Sequence, residues 1–237
     1  MNRRTLLWLS AIAVLAVLVA YQVVATSAGD RAREFAARAD VPTVQPGVDV
    51  LSGIVLMPAR IHRYDYRRAA FGDAWTDDTD APGGRNGCDT RDDILNRDLV
   101  DKKYVSIKRC PDAVATGVLH DPYTNATVEF QRGAKVGASV QIDHIVPLAY
   151  GWDEGAWDWP QEKRVRFAND PANLLAVEGQ ANQDKGDGEP AVWMPPNTAF
   201  HCQYAMQFIA VLRGYGLPVD APSATVLREA AETCPKG

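Results

Sequence analysis

The stretch VQIDHIVPLAYG, residues 140–151, constrains the fold more than any other part of this sequence. Its β-branched start predicts a strand, and the residues after His144 return to an apolar pattern. Asp143 and His144 interrupt that pattern, and a carboxylate or an imidazole is costly to bury unless another group pairs with it. A fold that buries this strand must therefore supply partners for both side chains.

The composition is that of a globular protein with a substantial core, because 46% of the 237 residues are hydrophobic and 23% are charged. The formal net charge is −5. Residues 1–28 contain two arginines and no acidic residue, so the rest of the chain has 23 basic and 30 acidic residues, or −7. General nucleic-acid binders are usually basic. A nucleic-acid partner would therefore have to be held by a local patch or a metal ion.

The N-terminus predicts export. Two arginines precede an apolar run from Leu6 to about Val24, which is typical of a secretory signal peptide or a signal anchor. The run is long for a cleaved signal and about long enough to span a bilayer, so residues 1–28 are predicted to be one or the other. Anchoring through residues 5–24 would leave the domain on the outer face of the cytoplasmic membrane. The predicted location is therefore secreted or anchored outside.

Export gives the cysteines a role, because an even number in an oxidising compartment predicts disulfides. The four are Cys88, Cys110, Cys202 and Cys234. Two helices joined by a short loop are predicted at about 200–234, and an antiparallel arrangement would bring Cys202 beside Cys234. Cys88–Cys110 then follows by elimination. A four-cysteine zinc site is the alternative, and the absence of any CxxC pair disfavours it.

The ends of the two C-terminal helices can also be predicted. Gly214 and Gly216 can end the first helix, and Ser223 is a candidate N-cap for the second. Upstream, residues 29–61 form a predicted stalk or lead-in segment, and residues 62–237 a predicted domain of mixed strands and helices. That mixture predicts the α+β class.

A group of polar residues follows the order of two strands and a helix. Asp143 and His144 close one strand, Asn173 opens the next, and Asn182 and Lys185 lie in a short helix that follows. If the strands pair as a hairpin and the helix packs across them, these side chains converge on one small volume. A finger of two strands and a helix, at about 138–188, would then surround a metal ion.

The motif DHIVP, followed by NLLAV and the N..KG spacing, resembles the HNH nuclease superfamily, and in particular the branch with the C-terminal domain of GmrSD-type restriction enzymes and small exported bacterial proteins. The blocks NGCDTRDDIL, DPYTN and DKGDGEPAVWMPP also resemble that branch, so the resemblance covers roughly Tyr64 to Pro196. Asn182 stands where the eponymous pattern has histidine, a variant that other HNH domains share. The resemblance implies a ββα-metal fold with additional helices and strands.

The resemblance and the chemistry assign roles to these residues. Asp143 and the Asn182 side-chain oxygen suit a hard divalent cation, most simply Mg²⁺, with Mn²⁺ or another divalent ion as alternatives. His144 is the expected general base. In the family, a residue at the start of the second strand orients the base, here Asn173 or its backbone carbonyl. Candidate phosphate-binding side chains are Lys185 and Arg166.

The sequence therefore predicts a metal-dependent endonuclease that hydrolyses DNA, with RNA as the alternative substrate. Its sequence specificity is expected to be low, because no helix-turn-helix or zinc-finger reader is visible. The alternative function is an exported binding module that keeps the HNH scaffold without turnover, and the acidic balance favours it. The intact set of Asp143, His144, Asn173 and Asn182 argues against it. No protein partner can be deduced.

Overall fold

A computed structural model of the chain describes residues 42–133 and 139–237. The predicted signal peptide or membrane anchor and the first part of the predicted lead-in segment lie outside these ranges. Among the helices within them, none is long and apolar enough to cross a membrane. Cleavage or retention of the N-terminal segment therefore stays a prediction.

Strands and helices are mixed along the described residues, which confirms the predicted α+β class. The strands are β1 (Leu56–Met57), β2 (Val100–Ile107), β3 (Cys110–His120), β4 (Thr127–Gln131), β5 (Val140–His144), β6 (Leu174–Glu178) and β7 (Val219–Asp220). The helices are α1 (Thr90–Asp98), α2 (Leu148–Asp153), α3 (Gln161–Asn169), α4 (Gly179–Lys185), α5 (His201–Tyr215) and α6 (Ala221–Ala231).

The predicted finger is formed by β5, β6 and α4. The two strands pair antiparallel, with Asp143 opposite Leu175 and His144 opposite Leu174. α4 begins directly after β6 because the Glu178 carboxylate caps it, accepting a hydrogen bond of 2.7 Å from the Ala181 backbone N–H. Gly186 ends the helix with φ 51°, a conformation that glycine adopts at little cost. The order strand, strand, helix agrees with the sequence prediction.

A second sheet packs against one side of the finger. Its strand order is β2-β3-β4, and both pairs are antiparallel. A cluster of buried apolar residues joins this sheet, α1 and the finger strands: Ile94, Leu95, Leu99, Val114, Leu119, Phe130, Val140, Ile142, Leu174 and Ala176. The finger strands are therefore held on a broader layer of sheet and helix, which gives Asp143 and His144 a rigid support.

The C-terminal helices α5 and α6 form the larger core together with the connection between β5 and β6. This core is rich in aromatic residues, among them Tyr150, Phe167, Tyr204 and Phe208, all fully buried. α5 ends at Gly216, as predicted, with φ 69°. α6 begins earlier than predicted, because Asp220 and not Ser223 is its N-cap.

The shifted start of α6 has a local cause. The Asp220 carboxylate accepts a hydrogen bond of 2.8 Å from the Ser223 backbone N–H. Pro222 lies in the first turn, where its missing N–H leaves no bond unmade and its fixed φ suits a helix. The helix therefore starts before the proline, and Ser223 lies inside its first turn.

Both predicted disulfides are present. Cys88 pairs with Cys110 across a Cα–Cα distance of 4.5 Å, and Cys202 pairs with Cys234 across 4.9 Å. The first links the loop before α1 to the start of β3. The second links the start of α5 to the end of α6, as expected for antiparallel helices.

The described part of the lead-in segment packs against the C-terminal region. β1 pairs in parallel with β7, and Leu51 is buried in the larger core. Arg60 donates hydrogen bonds to the Asp153 carboxylate (2.8 Å) and the Glu189 carboxylate (2.5 Å). Residues 51–60 therefore make specific contacts with the predicted domain.

Candidate functional site

Asp143 and His144 lie at the end of β5, where the strand leaves the sheet. Both are buried, with exposed fractions of 6% and 7%, and the apolar residues Ile142, Ile145 and Val146 around them are buried too. The backbone on either side is therefore fixed by packing. Each polar side chain has the partners that its burial requires.

The Asp143 carboxylate is paired with two donors from distant parts of the chain. Its Oδ2 accepts hydrogen bonds from the Tyr123 hydroxyl (2.5 Å) and from the Lys185 ammonium (2.6 Å). Burial and the adjacent carboxylate raise the pKa of Tyr123 well above its ordinary value, so the phenol keeps its proton and donates it. Oδ1 accepts no hydrogen bond from the described residues, and Asp143 lines a cleft.

Lys185 lies beneath the strand end. Its side chain is fully buried, and besides Asp143 it donates a hydrogen bond of 2.7 Å to the His144 backbone carbonyl. Burial lowers the pKa of Lys185, and the Asp143 carboxylate opposes that shift. Lys185 was predicted to bind phosphate, but these contacts direct its ammonium to the protein. The position suits a residue that orients Asp143.

The His144 imidazole is held by one hydrogen bond and one stacked ring. Nε2 lies 2.8 Å from the Ala168 backbone carbonyl, and since a carbonyl only accepts, the proton is on Nε2. The Trp75 indole lies parallel to the imidazole, with 5.5 Å between ring centroids and 11° between planes. Nδ1 is therefore the nitrogen that can accept a proton.

The environment of His144 favours its neutral form. Burial, together with the positive charges of Arg68 and Lys185, lowers the pKa of His144 to about 3, while the hydrogen bond to Ala168 opposes the shift. The imidazole is therefore uncharged at neutral pH and can act as a proton acceptor.

Asn173 holds the chain that follows the Asp-His pair. It is fully buried, and its side-chain oxygen accepts a hydrogen bond of 2.8 Å from the Val146 N–H while its amide donates one of 3.2 Å to the Val146 carbonyl. Its backbone carbonyl accepts from the Ile145 N–H at 2.9 Å. The predicted contact of Asn173 with the imidazole is absent, because the Ala168 carbonyl makes it. Asn173 therefore fixes the backbone next to His144.

Asn182 lies on α4, across the same cleft from the strand end. Its amide nitrogen donates a hydrogen bond of 2.8 Å to the Gln141 side-chain oxygen. The side-chain oxygen of Asn182 is therefore left to accept from, or coordinate, another group. The cleft has a volume of about 420 Å³. Asp143, His144 and Asn182 all line it, so three of the predicted site residues share one cavity.

Arg166 lies elsewhere. It is on α3, half exposed, and its guanidinium lies 3.2 Å from the Asp80 carboxylate. It is not among the residues that line the cleft. The cations of the cleft are instead Arg68 and Arg91, which come from a short 3-10 helix and from the first turn of α1.

Trp75 is a site residue that the sequence did not single out. It lies in the loop before α1 with φ 58°, a left-handed conformation that is uncommon for a bulky side chain. Its backbone carbonyl accepts a hydrogen bond of 3.2 Å from the Thr90 N–H, and the Arg68 guanidinium lies 5.8 Å from its ring centroid. A strained residue beside a candidate base is consistent with a functional site.

Two other residues of the site, Tyr123 and Arg91, lie within motifs that resemble the family. Tyr123 is the tyrosine of DPYTN, and Arg91 the arginine of NGCDTRDDIL, so the sequence marked both segments without assigning the residues a role. For Trp75 and Ala168 no sequence signal was available. Trp75 lies in an irregular loop, and Ala168 acts through its backbone carbonyl.

The site offers two ligands of the type that hard divalent cations take, the Asp143 carboxylate and the side-chain oxygen of Asn182. Among the described residues no group of three or more histidine, cysteine, aspartate or glutamate side chains could hold a metal ion. Mg²⁺ commonly takes one or two protein ligands and keeps water or substrate oxygens for the rest. The residues present therefore fit an Mg²⁺-type ion and a substrate phosphate.

Comparison with known proteins agrees with this fold and site. The chain belongs to the family of GmrSD restriction endonuclease C-terminal domains, whose model matches residues 89–229. It therefore has a nuclease-related HNH fold, as the sequence predicted. The match includes Asp143, His144 and Asn182, whereas Arg68 and Trp75 precede it.

One curated relative is an uncharacterized secreted protein of the fungus Arthroderma benhamiae. It is 35% identical over 149 residues, which cover 62% of this chain and 68% of the relative. No solved structure matches the chain significantly.

Proposed function

We propose that this protein is a metal-dependent HNH endonuclease that hydrolyses phosphodiester bonds, with DNA as the favoured substrate. The proposal rests on one observation: Asp143, His144 and Asn182 line the same cleft of a ββα unit. That unit belongs to a family of restriction endonuclease domains. An acid, a neutral base and an amide oxygen in one cleft are the groups that a one-metal phosphodiesterase needs.

His144 is the general base in this mechanism. Ala168 holds the Nε2 proton, so Nδ1 takes the proton of the attacking water. Burial keeps the imidazole neutral, and Trp75 fixes the plane of the ring. A positioned base of this kind contributes roughly 10²–10⁴-fold to the rate.

Asp143 and Asn182 are the proposed metal ligands. When bound, a divalent cation would stabilise charge on the phosphate and on the leaving oxygen. Lys185 and Tyr123 donate hydrogen bonds to Oδ2 of Asp143, so the carboxylate keeps one orientation and Oδ1 stays available for the cation. Arg68 and Arg91 line the cleft and supply positive charge for phosphate oxygens, the role that the sequence had suggested for Lys185 and Arg166.

The domain is proposed to act outside the cytoplasm. Its two disulfides suit an oxidising compartment, the relative from Arthroderma benhamiae is described as secreted, and the N-terminal segment has the pattern of a signal or anchor. The mass of the exported protein would decide between cleavage after residue 28 and a retained anchor at 5–24.

A non-catalytic binding module is the second candidate, and one observation favours it. The Lys185 ammonium neutralises the Asp143 carboxylate, which reduces the negative charge left for a cation. Such a module would bind nucleic acid and leave it intact whether metal is present or absent.

Incubation with nucleic acid tests the proposal. The purified protein is mixed with supercoiled plasmid or with RNA, in Mg²⁺, in Mn²⁺ or in EDTA, and the products are resolved on gels. We expect cleavage with a divalent ion and none with EDTA, and the faster of the two substrates identifies the preference. Intact plasmid and RNA under every condition would favour the binding module.

A further inference from the structure

The described chain carries a concentrated basic segment despite the acidic balance of the whole protein. Residues 102–109, which we call the basic hairpin, form most of β2 and its turn into β3. They contain Lys102, Lys103, Lys108 and Arg109 and no acidic residue. A chain with a net charge of −5 therefore has four positive charges within eight residues.

Three of these cations are not engaged by the part of the chain that the structure describes. Lys103, Lys108 and Arg109 are exposed, and their side chains make no ion pair or hydrogen bond with any residue in 42–133 or 139–237. Arg60, Arg97, Arg132, Arg166 and Arg228, by contrast, each pair with a carboxylate. The positive charge of the basic hairpin is thus available to a partner.

Protection of a sheet edge is the simplest other explanation for these lysines. β2 is the outer strand of its sheet, and natural proteins place lysine on such strands to prevent pairing with other chains. That explanation suits Lys103, which lies in the strand. Lys108 and Arg109 lie in the turn, where no strand edge is exposed, so it does not account for them.

The turn of the basic hairpin is fixed next to the wall of the cleft. The disulfide to Cys88 holds Cys110, which directly follows Arg109. The Arg109 carbonyl lies so close to Gly87 that a Cβ there would come within 3.0 Å of it. Arg91, three residues after Cys88, lines the cleft itself. The disulfide therefore connects the turn of the basic hairpin to the segment that carries Arg91.

We infer that the basic hairpin binds the phosphate backbone of double-stranded DNA outside the cleft. The inference rests on the proposed function, and charge complementarity selects the partner, because a duplex is a dense line of negative charge. The exposed ring of Tyr104, 50% accessible between the lysines, adds an aromatic surface to the same strand. The hairpin is then the local basic patch that an acidic nuclease requires.

The salt dependence of binding tests this inference. Fluorescence anisotropy of a labelled 30-base-pair duplex is measured with the full-length protein in EDTA, so that no cleavage occurs, over a range of salt concentrations. For the triple variant Lys103→Gln, Lys108→Gln, Arg109→Gln we expect affinity at low salt to fall roughly tenfold to a hundredfold. The slope of log K against log salt should become shallower by about 0.9 for each lost contact.

A matched pair of single variants controls for net charge. Lys108 and Lys236 are both exposed lysines without an ion pair to the described residues, and Lys236 lies near the C-terminus. Lys108→Gln should weaken duplex binding several-fold, while Lys236→Gln should leave it unchanged. Equal effects would mean that only the total charge counts, which would overturn the inference.

Hydrolysis of a small phosphodiester, bis-p-nitrophenyl phosphate, separates the hairpin from the proposed active site. The triple variant should cleave it at the wild-type rate, because so short a substrate does not reach the hairpin. Wild-type duplex binding and an unchanged salt slope in the triple variant would overturn the inference about the basic hairpin without affecting the proposed nuclease activity. Binding to RNA or to anionic vesicles in preference to the duplex would overturn the choice of partner. A wild-type protein that neither binds nor cleaves would remove the proposed function itself.

Discussion

At the scale of single residues, the site depends on buried polar groups that come from distant parts of the chain. Tyr123 and Lys185 lie 20 and 42 positions from Asp143, and Ala168 lies 24 positions from His144. A buried ion pair adds little stability by itself, but removal of one partner leaves an uncompensated charge. The ion pair of Asp143 with Lys185 is therefore expected to affect both the stability of the fold and the orientation of the proposed metal ligand.

Lys185→Met should destabilise the protein by about 3–5 kcal/mol, because it leaves the buried Asp143 carboxylate without its cation. The control is Arg228→Met, whose partner Asp49 is half exposed and whose pair should be worth about 1 kcal/mol or less. Urea unfolding at neutral pH measures both. Similar small losses for the two variants would show that the buried pair is not important for folding.

The sequence identified the residues proposed for the chemistry but not their supporting partners. Asp143, His144 and Asn182 were recognisable because they belong to short motifs with fixed spacing. The Ala168 carbonyl, the Trp75 ring and the Arg68 guanidinium reach the site only through tertiary packing, which local patterns do not encode. The same limit explains Lys185, which was predicted at the phosphate and instead lies against Asp143.

Glu154 makes stability depend on pH. Burial, with the negative charges of Asp220 and Asp153, raises the pKa of Glu154 to about 7, while Arg60 opposes the shift. The folded state therefore binds this proton more tightly than the unfolded state, so its contribution to stability is present below about pH 4.5 and is lost as pH rises to about 7.

Glu154→Gln should remove this loss. Relative to wild type, the variant should gain roughly 2–3 kcal/mol of stability between pH 5 and pH 8, an upper estimate since burial is partial. Urea midpoints at the two pH values give the difference. A stability difference between variant and wild type that is the same at both pH values would contradict the assignment.

At the scale of elements, the two disulfides and most of the finger were predictable from the sequence. Both disulfides lie where the sequence predicted, because helix spacing located one pair and elimination the other. The strand and helix order of the finger and the end of α5 were also predictable from local patterns. The start of α6 was not, since Asp220 and Pro222 together moved it ahead of Ser223. The arrangement of β2, β3 and β4 against the finger depends on buried contacts between distant segments.

Replacement of each disulfide by two serines should separate stability from DNA binding. The sequence separations are 22 and 32 residues, so loop entropy predicts a loss of roughly 3–4 kcal/mol for either pair. Loss of Cys88–Cys110 should also weaken duplex binding, because it releases the turn of the basic hairpin. Loss of Cys202–Cys234 should not. Anisotropy at a temperature where both variants are folded checks the difference, and equal affinities would contradict the anchoring role.

At the scale of the whole molecule, an acidic protein is proposed to act on a polyanion. Overall charge cannot draw such a substrate in, so the contact must be local. Arg68 and Arg91 supply positive charge in the cleft, and the exposed cations of the basic hairpin supply it outside the cleft.

The rate of plasmid cleavage by His144→Ala, relative to wild type and in Mg²⁺, tests the central claim most directly. The matched control is His120→Ala, an exposed histidine at the end of β3 that does not line the cleft. The proposed mechanism predicts a fall of roughly 10²–10⁴-fold for His144→Ala and the wild-type rate for His120→Ala, with both variants folded by circular dichroism. Equal cleavage by His144→Ala and wild type would contradict it.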